Sequence, residues 1–444
     1  MKRSSLIAVI AALLVPAGAG WAQTDSTKVN QFTLGLNFLT HGEACGGGLP
    51  RAAESTEDKS AFMMGRVRLN LGYDHPWLEA RAVVQNSAIW GMKGNQSLGL
   101  YEGWAKIKTP VGLFVQLGRI ALSYDDERII GANDFAMAAR SHDVLRLGYE
   151  GHGHKFHAIL GYNQNGENAY KGTYYTGGAQ DYKHMQTAWY HYDIPHFPLG
   201  VSLLFMNVGV QAGQENSQND PARVEYQQMY GGYLKLHPKY VTLEGAYYRQ
   251  SGQYVNEEKF SGPLNAWMAA GKLTVKPVSR LEVVLGYDYL SGDDYVPVIY
   301  GGMLGMPRHA VEKGFSPLYG SRTMFYGIMD YFYQSAYSNG FTPGLQNAFA
   351  GVSGSPFTEN LTIGATYHYL AVATQLKGLD STLGHSIELQ ASYRFNRFIT
   401  LAMGYTQMIG TETMNRLKQG SASNQARWGW FSLVLSPSIF STKW

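Results

Sequence analysis

The chain has 444 residues, of which 13% are aromatic and only 16% charged, with 52 Gly and 31 Tyr. A formal net charge of +3 is too small to imply a nucleic-acid partner, and the single cysteine, Cys45, excludes an intrachain disulfide. A mean hydropathy of -0.22, without helical periodicity or a contiguous apolar core segment past residue 22, argues against an ordinary secreted enzyme.

The first residues read as a secretory signal peptide. Lys2 and Arg3 precede an apolar run from Leu6 to Val15, and Gly20-Trp21-Ala22 supplies small residues around a cleavage point. The run is too short for a spanning helix, which disfavours an uncleaved anchor. The expected mature chain is 23–444.

Beyond it, apolar and polar residues alternate. In "RVRLNLGYDHPWLEARAVVQ" (66–85) Leu69, Leu71 and Tyr73 oppose Arg66, Arg68 and Asn70. After "DHP", Leu78, Ala80, Ala82 and Val84 oppose Glu79, Arg81 and Gln85. Strands place successive side chains on opposite faces, so this is a hairpin with one oily and one charged face. The same pattern predicts strands near 30–38, 62–73, 77–86, 98–108, 111–118, 143–149, 155–163, 184–193 and 199–210. It continues near 226–237, 240–250, 264–276, 279–290, 344–353, 359–371, 384–395, 398–408 and 427–436. With no helix to satisfy the backbone in lipid, the prediction is an all-β fold: a transmembrane antiparallel β-barrel of about 18 strands.

Connection lengths support this. Every second junction is short ("DHP", "TPVG", "EGHGH", "IPHFP", "HPK", "KPVS", "SPFTEN", "FNR"), whereas 39–61, 87–97, 119–142, 164–183, 211–225, 251–263, 291–343, 372–383 and 409–426 are long. Short periplasmic turns and long extracellular loops are the asymmetry of outer-membrane barrels. Tyr73, Trp77, Tyr149, Tyr162, Tyr287, Tyr289, Tyr393 and Tyr405 fall near strand ends, where aromatic girdles belong. The closing "RWGWFSLVLSPSIFSTKW" ends in Trp444, similar to the aromatic end of barrels handled by the outer-membrane assembly machinery.

The expected lipid face includes Leu69, Leu71, Leu281, Val283, Leu285, Ile387 and Leu389. By the same parity, the lumen collects Arg66, Arg68, Arg81, Lys106, Lys108 and Arg146, with Glu79 and Glu102 among them. The later wall adds Glu244, Lys272, Glu282, Asp288, Glu388 and Arg394, with Thr242, Thr274, Thr362, Thr366, Gln390 and Ser392. Basic rings favour anions and a mixed wall orders polar solutes. The competing reading is that these charges form salt-bridge ladders that brace the barrel.

Segment 118–150 is the most informative connection. Gly118-Arg119, Tyr124-Asp125, Arg128, Gly131, Asn133-Asp134, Arg140-Ser141 and Asp143 stand in an order that resembles the alginate export family of outer-membrane barrels. A second echo spans 321–373, in "SRTMFYGIMDYFY" and the following Gly-Leu-Gln and Tyr-His strands. The resemblance implies an 18-stranded barrel exporting an anionic polysaccharide through an electropositive constriction. Matched residue by residue, it implies Arg119, Arg128, Arg140 and Arg146 at that constriction, with Asp134, Asp143 and Asp330 as partners. Segments 119–142 and 291–343 are expected to fold into or over the pore. Two departures weaken the substrate assignment: the overall charge is nearly balanced, and several pore-facing positions are acidic.

The expected function is an outer-membrane channel for anionic or polar solutes, with an anionic polysaccharide of the alginate type as one substrate. A general diffusion porin is the alternative. A hydrolase built on Ser392 and His368 is the rival from another class, and a plugged receptor or adhesin is a third. Strand periodicity beginning within about ten residues of Ala22 argues against a plug. No cofactor is implied. His142, His152, His154 and His157 lack a completing ligand for a metal, and "YDDE" lacks the spacing of a calcium loop.

Overall fold

The computed structural model describes residues 29–444 apart from 48–58, 165, 167–169, 171–180, 257–258, 294–297, 301–302, 306–310, 322–323, 328, 330–341, 377 and 419–424. The expected signal peptide and Asp330 lie outside the described residues.

The wall begins with β1 (Gln31–Gly46), β2 (Lys59–Asp74), β3 (Leu78–Ile89), β4 (Gln96–Lys108), β5 (Leu113–Ile120), β6 (His142–Gly151) and β7 (His154–Tyr162). It continues through β8 (His184–Asp193), β9 (Leu199–Ala212), β10 (Arg223–Leu236), β11 (Val241–Val255), β12 (Ser261–Val278) and β13 (Leu281–Leu290). A small separate hairpin, β14 (Val298–Tyr300) and β15 (Met303–Gly305), interrupts the next connection. The wall resumes with β16 (Leu345–Gly354), β17 (Leu361–Ala371), β18 (Thr382–Arg394) and β19 (Ile399–Gly410). After a short helix α1 (Glu412–Lys418), β20 (Gln425–Leu435) and β21 (Ser438–Lys443) complete it.

Successive strands of the wall pair antiparallel, β13 with β16 across the small hairpin, and β1 also pairs with β20 and β21. Leu435 faces Phe38 and Ser438 faces Gly35, so β20 and β21 are one stave interrupted at Ser436-Pro437. The sheet is therefore a closed barrel of 18 staves with no open edge. No helix among the described residues is long and apolar enough to cross a membrane, so the strands cross.

All the predicted strands are present, but several run further toward the long loops. β1 reaches Gly46 and β11 reaches Val255, past the predicted ends at 38 and 250. Above the bilayer a ladder can continue without apolar alternation, so hydropathy alone stops short. Outward positions carry the expected apolar side chains: Leu69, Leu285, Ile387 and Leu389 are exposed on that face. Where strands crowd, glycine is required. At Gly118 (φ 133°) a Cβ would sit 2.1 Å from the Gly103 carbonyl oxygen, which no side chain permits.

The absence of an apolar centre, inferred from sequence, needs correction. A hydrophobic core lies inside the barrel, where Leu122, Ile129 and Ile130 of the β5–β6 connection pack on inward Met185, Met206, Met229 and Met268 of β8, β9, β10 and β12. On this arc both faces of the strands are apolar, one toward lipid and one toward an inserted segment.

Candidate functional site

The β5–β6 connection, 121–141, is held against inward side chains from several parts of the wall. Its Asp134 accepts a hydrogen bond from Arg68 Nη1 at 2.6 Å, and Arg66 lies 3.3 Å from the same carboxylate. Arg66 also donates to the Asp134 and Ala136 carbonyls at 3.0 and 3.2 Å, and Gln85 Nε2 to the Ala138 carbonyl. On another arc, Asp125 accepts from Trp189 and from Ser202. Asp125, Glu127, Asn133 and Ala139 all adopt left-handed backbone conformations, which such over-determination can hold.

Arg128 is the centre of the arrangement. It is 5% exposed, pairs with Asp288 of β13 at 2.9 Å and Asp126 at 3.2 Å, and stacks 4.1 Å from the Phe325 ring centroid. Burial opposes its charge, but Asp288, Tyr326 and Asp126 outweigh that and hold the guanidinium above its ordinary pKa. The network continues from Asp288 to Asn347 (2.9 Å), and from Asn347 to His368 Nδ1 (2.9 Å). Burial pushes the Asp125 carboxyl up, against the hydrogen bonds from Ser202 and Trp189.

Described parts of the 291–343 connection cap this segment. Gly131 N–H donates to the Tyr319 carbonyl (2.9 Å) and Tyr319 N–H to that of Ile129 (3.1 Å). Arg140 donates to the Tyr319 and Gly320 carbonyls, and Ser321 Oγ to Glu127 (2.7 Å).

The remaining sequence-chosen residues divide between the two faces. Arg81 has inward parity and a half-exposed side chain, 3.7 Å from Glu102. Lys106 stands 4.0 Å from the Phe114 ring centroid, and Arg146 donates to Gln116 and to Tyr124 Oη. Arg394 is exposed at the periplasmic end of β18. Arg119 and Asp143 correct the sequence reading. β5 runs to Ile120 rather than ending at 118, so Arg119 alternates outward with Leu117 while Ile120 is buried inward. Asp143 lies outward on β6 and pairs with Arg119 at 2.6 Å. Their ion pair therefore sits outside the barrel, near its extracellular rim. Ser392 and His368 both face inward but face Thr362 and Ser386 respectively across the β17–β18 ladder. That separates them by ~20 Å along the strands, too far for a nucleophile and its base.

Below the inserted segment an open cavity of about 660 Å³ remains. Asp126 and Arg128 line it from above, with Lys235, Glu244, Lys272, Glu282 and Glu388 on the wall. Glu244 pairs with Lys272 at 2.6 Å. Sequence reasoning placed Glu244, Lys272, Glu282 and Glu388 on the inner wall but passed over Lys235.

No family model and no curated protein matches the chain. Solved structures do match in shape. Pseudomonas aeruginosa OpdL aligns with a TM-score of 0.60 at 12% identity, over 92% of this chain and 99% of that one. The chain shares its barrel fold with solved porin structures. A BenF-like porin from Pseudomonas fluorescens Pf-5 aligns with a TM-score of 0.59 at 10% identity, over 92% and 99%. Pseudomonas aeruginosa OpdK with vanillate gives 0.56 at 8%, over 91% and 98%. A closed β-barrel with an apolar outer band and short turns at one end belongs in a bacterial outer membrane.

The extracellular end carries a titratable pair. Asp293 accepts hydrogen bonds from Lys313 N–H (2.8 Å) and Thr342 N–H (3.2 Å), and its carboxyl meets that of Glu312. Burial first, then Asp293, pushes the Glu312 carboxyl up to about 8. An acid whose folded pKa is raised favours the fold while protonated. That contribution is complete below the ordinary carboxyl range and is lost as pH rises through about 8. Amide exchange at 312–314, corrected for intrinsic rate, should therefore quicken across this window, and Glu312→Gln should flatten the profile. Identical profiles would remove the pair from control of this connection.

Proposed function

We propose that the protein is an outer-membrane channel for small anionic or polar solutes, with its bore set by segment 121–141. The observation that carries this reading is Asp134 held by Arg66 and Arg68 of the wall, with Arg128 locked to Asp288 on another arc. An inserted segment so anchored narrows the lumen without closing it. Arg66, Arg68, Arg81, Lys106 and Arg146 form a basic arc, and it faces a mixed one in which Glu244, Glu282 and Glu388 stand among Lys235 and Lys272. A basic arc across a narrow pore from a mixed one orients a dipolar or anionic solute as it passes. The comparison structure with vanillate supports a small solute. The sequence resemblance implies Arg119, Arg128, Arg140 and Arg146 at a constriction for an alginate-type polysaccharide, but Arg119 faces outward and the packed lumen favours short solutes over a polymer. Pairing of Arg66, Arg68 and Arg128 with carboxylates favours, as a second reading, a general porin without a specific substrate.

The test separates lumen from exterior. Arg81→Gln combined with Arg68→Gln should lower anion over cation permeability by about twofold, read as the reversal potential in a salt gradient. Arg119→Gln should leave it unchanged, because that side chain faces outward. Equal effects from both substitutions would refute the assignment of the basic arc.

A further inference from the structure

The outer wall is not uniformly bulky. Where β1, β2 and β20 meet, the outward positions are Gly42, Ala44, Gly46, Ala61 and Gly429. Taller side chains flank them, including Met63, Leu401, Met403 and Phe431. The result is an apolar groove of about 980 Å³, and a Cβ added at Gly429 would meet nothing within 4 Å. A second depression of about 750 Å³ shares Ala44, Ala61, Tyr405 and Gly429 with it, so the two form one trough. Lys59 and Arg427 line the second depression, at the extracellular end. Across the ladder Arg427 faces Gly46 and Gly46 faces Lys59, which sets the two cations two strand spacings, ~10 Å, apart over a glycine. Both are exposed, and neither makes an ion pair among the described residues.

We propose that this trough binds one phosphorylated acyl lipid of the outer leaflet, of the lipid A class, with an acyl chain along Gly429 and Ala44 and its phosphate between Lys59 and Arg427. The dimensions fit. From the Leu401 row to the Arg427 row is six residues, or ~20 Å of strand; tilted by about 40° this spans ~15 Å of depth, one leaflet of a ~30 Å core. Charge complementarity sets the orientation, because the cations stand only at the extracellular end. Two cations flanking a small residue leave room for a phosphate to accept charge-assisted hydrogen bonds from both. The proposal rests on the outer-membrane placement and not on conduction.

Native mass spectrometry of the intact detergent-solubilised barrel with diphosphoryl lipid A provides the test. One lipid A per barrel is expected, with affinity reduced about tenfold in Lys59→Gln/Arg427→Gln and again in Gly429→Leu, which fills the trough. Both variants should keep the wild-type conductance, so a failure here is distinct from a failure of the channel reading. Unchanged lipid A affinity in both variants would overturn the proposal. So would equal binding of dephosphorylated lipid A or of phosphatidylglycerol.

Discussion

Asp288→Ala should lower the temperature at which the folded barrel converts to its unfolded form in SDS, and should make the open channel noisy. Arg128 and Asp288 have side chains only 6% and 2% exposed, and their 2.9 Å contact joins the inserted segment to β13. Deleting one partner of a buried pair leaves the other charge uncompensated, at a cost of about 3–5 kcal/mol. Asp126, 3.2 Å from Arg128, remains and moves the effect toward the lower end. Asn347 also loses one of its two acceptors and keeps the Phe325 carbonyl, so the chain leading to His368 loosens. Replacing both partners, as Arg128→Met with Asp288→Leu, should restore much of the melting temperature, because no buried charge is then left alone. A single variant that melts with the wild type would show that the inserted segment is not anchored here.

Leu285→Arg and Leu71→Arg should both impair assembly. Both residues lie on the outward face, Leu285 being 51% exposed. A charge near the midplane costs ~2–4 kcal/mol and less toward an interface. Leu285 stands four residues from the periplasmic start of β13 and Leu71 three residues from the periplasmic end of β2, so the two arginines would stand at similar depth. The yield of heat-modifiable folded barrel measures this. Equal yields for both variants and the wild type would mean that the outward face does not meet lipid.

Much of the wall was legible because lipid enforces a simple code. Every spanning segment must alternate, and a slip of one residue would turn Arg66 and Arg68 into the membrane. The code weakens above the bilayer, where β5 continues to Ile120 and so carries Arg119 outward. It also fails to show which part of the lumen is wet. Met185, Met206, Met229 and Met268 at inward positions were the available signal for an apolar arc, since residues facing a water-filled pore would be polar. The partners of Arg128 were harder to read. Asp288 is 160 residues away in sequence, and only closure of the barrel brings it to the loop.

Single-channel conductance in planar bilayers is the most direct test of the inserted segment as the determinant of the bore. The comparison is between the wild type and a variant with residues 132–139 replaced by a Gly-Ser linker, which removes Asp134 and its contacts with Arg66 and Arg68. Both should show the heat-modifiable folded band, and the variant should conduct several-fold more current per opening with weaker ion selectivity. Equal conductance and equal reversal potential in the two proteins would place the constriction elsewhere and contradict the account.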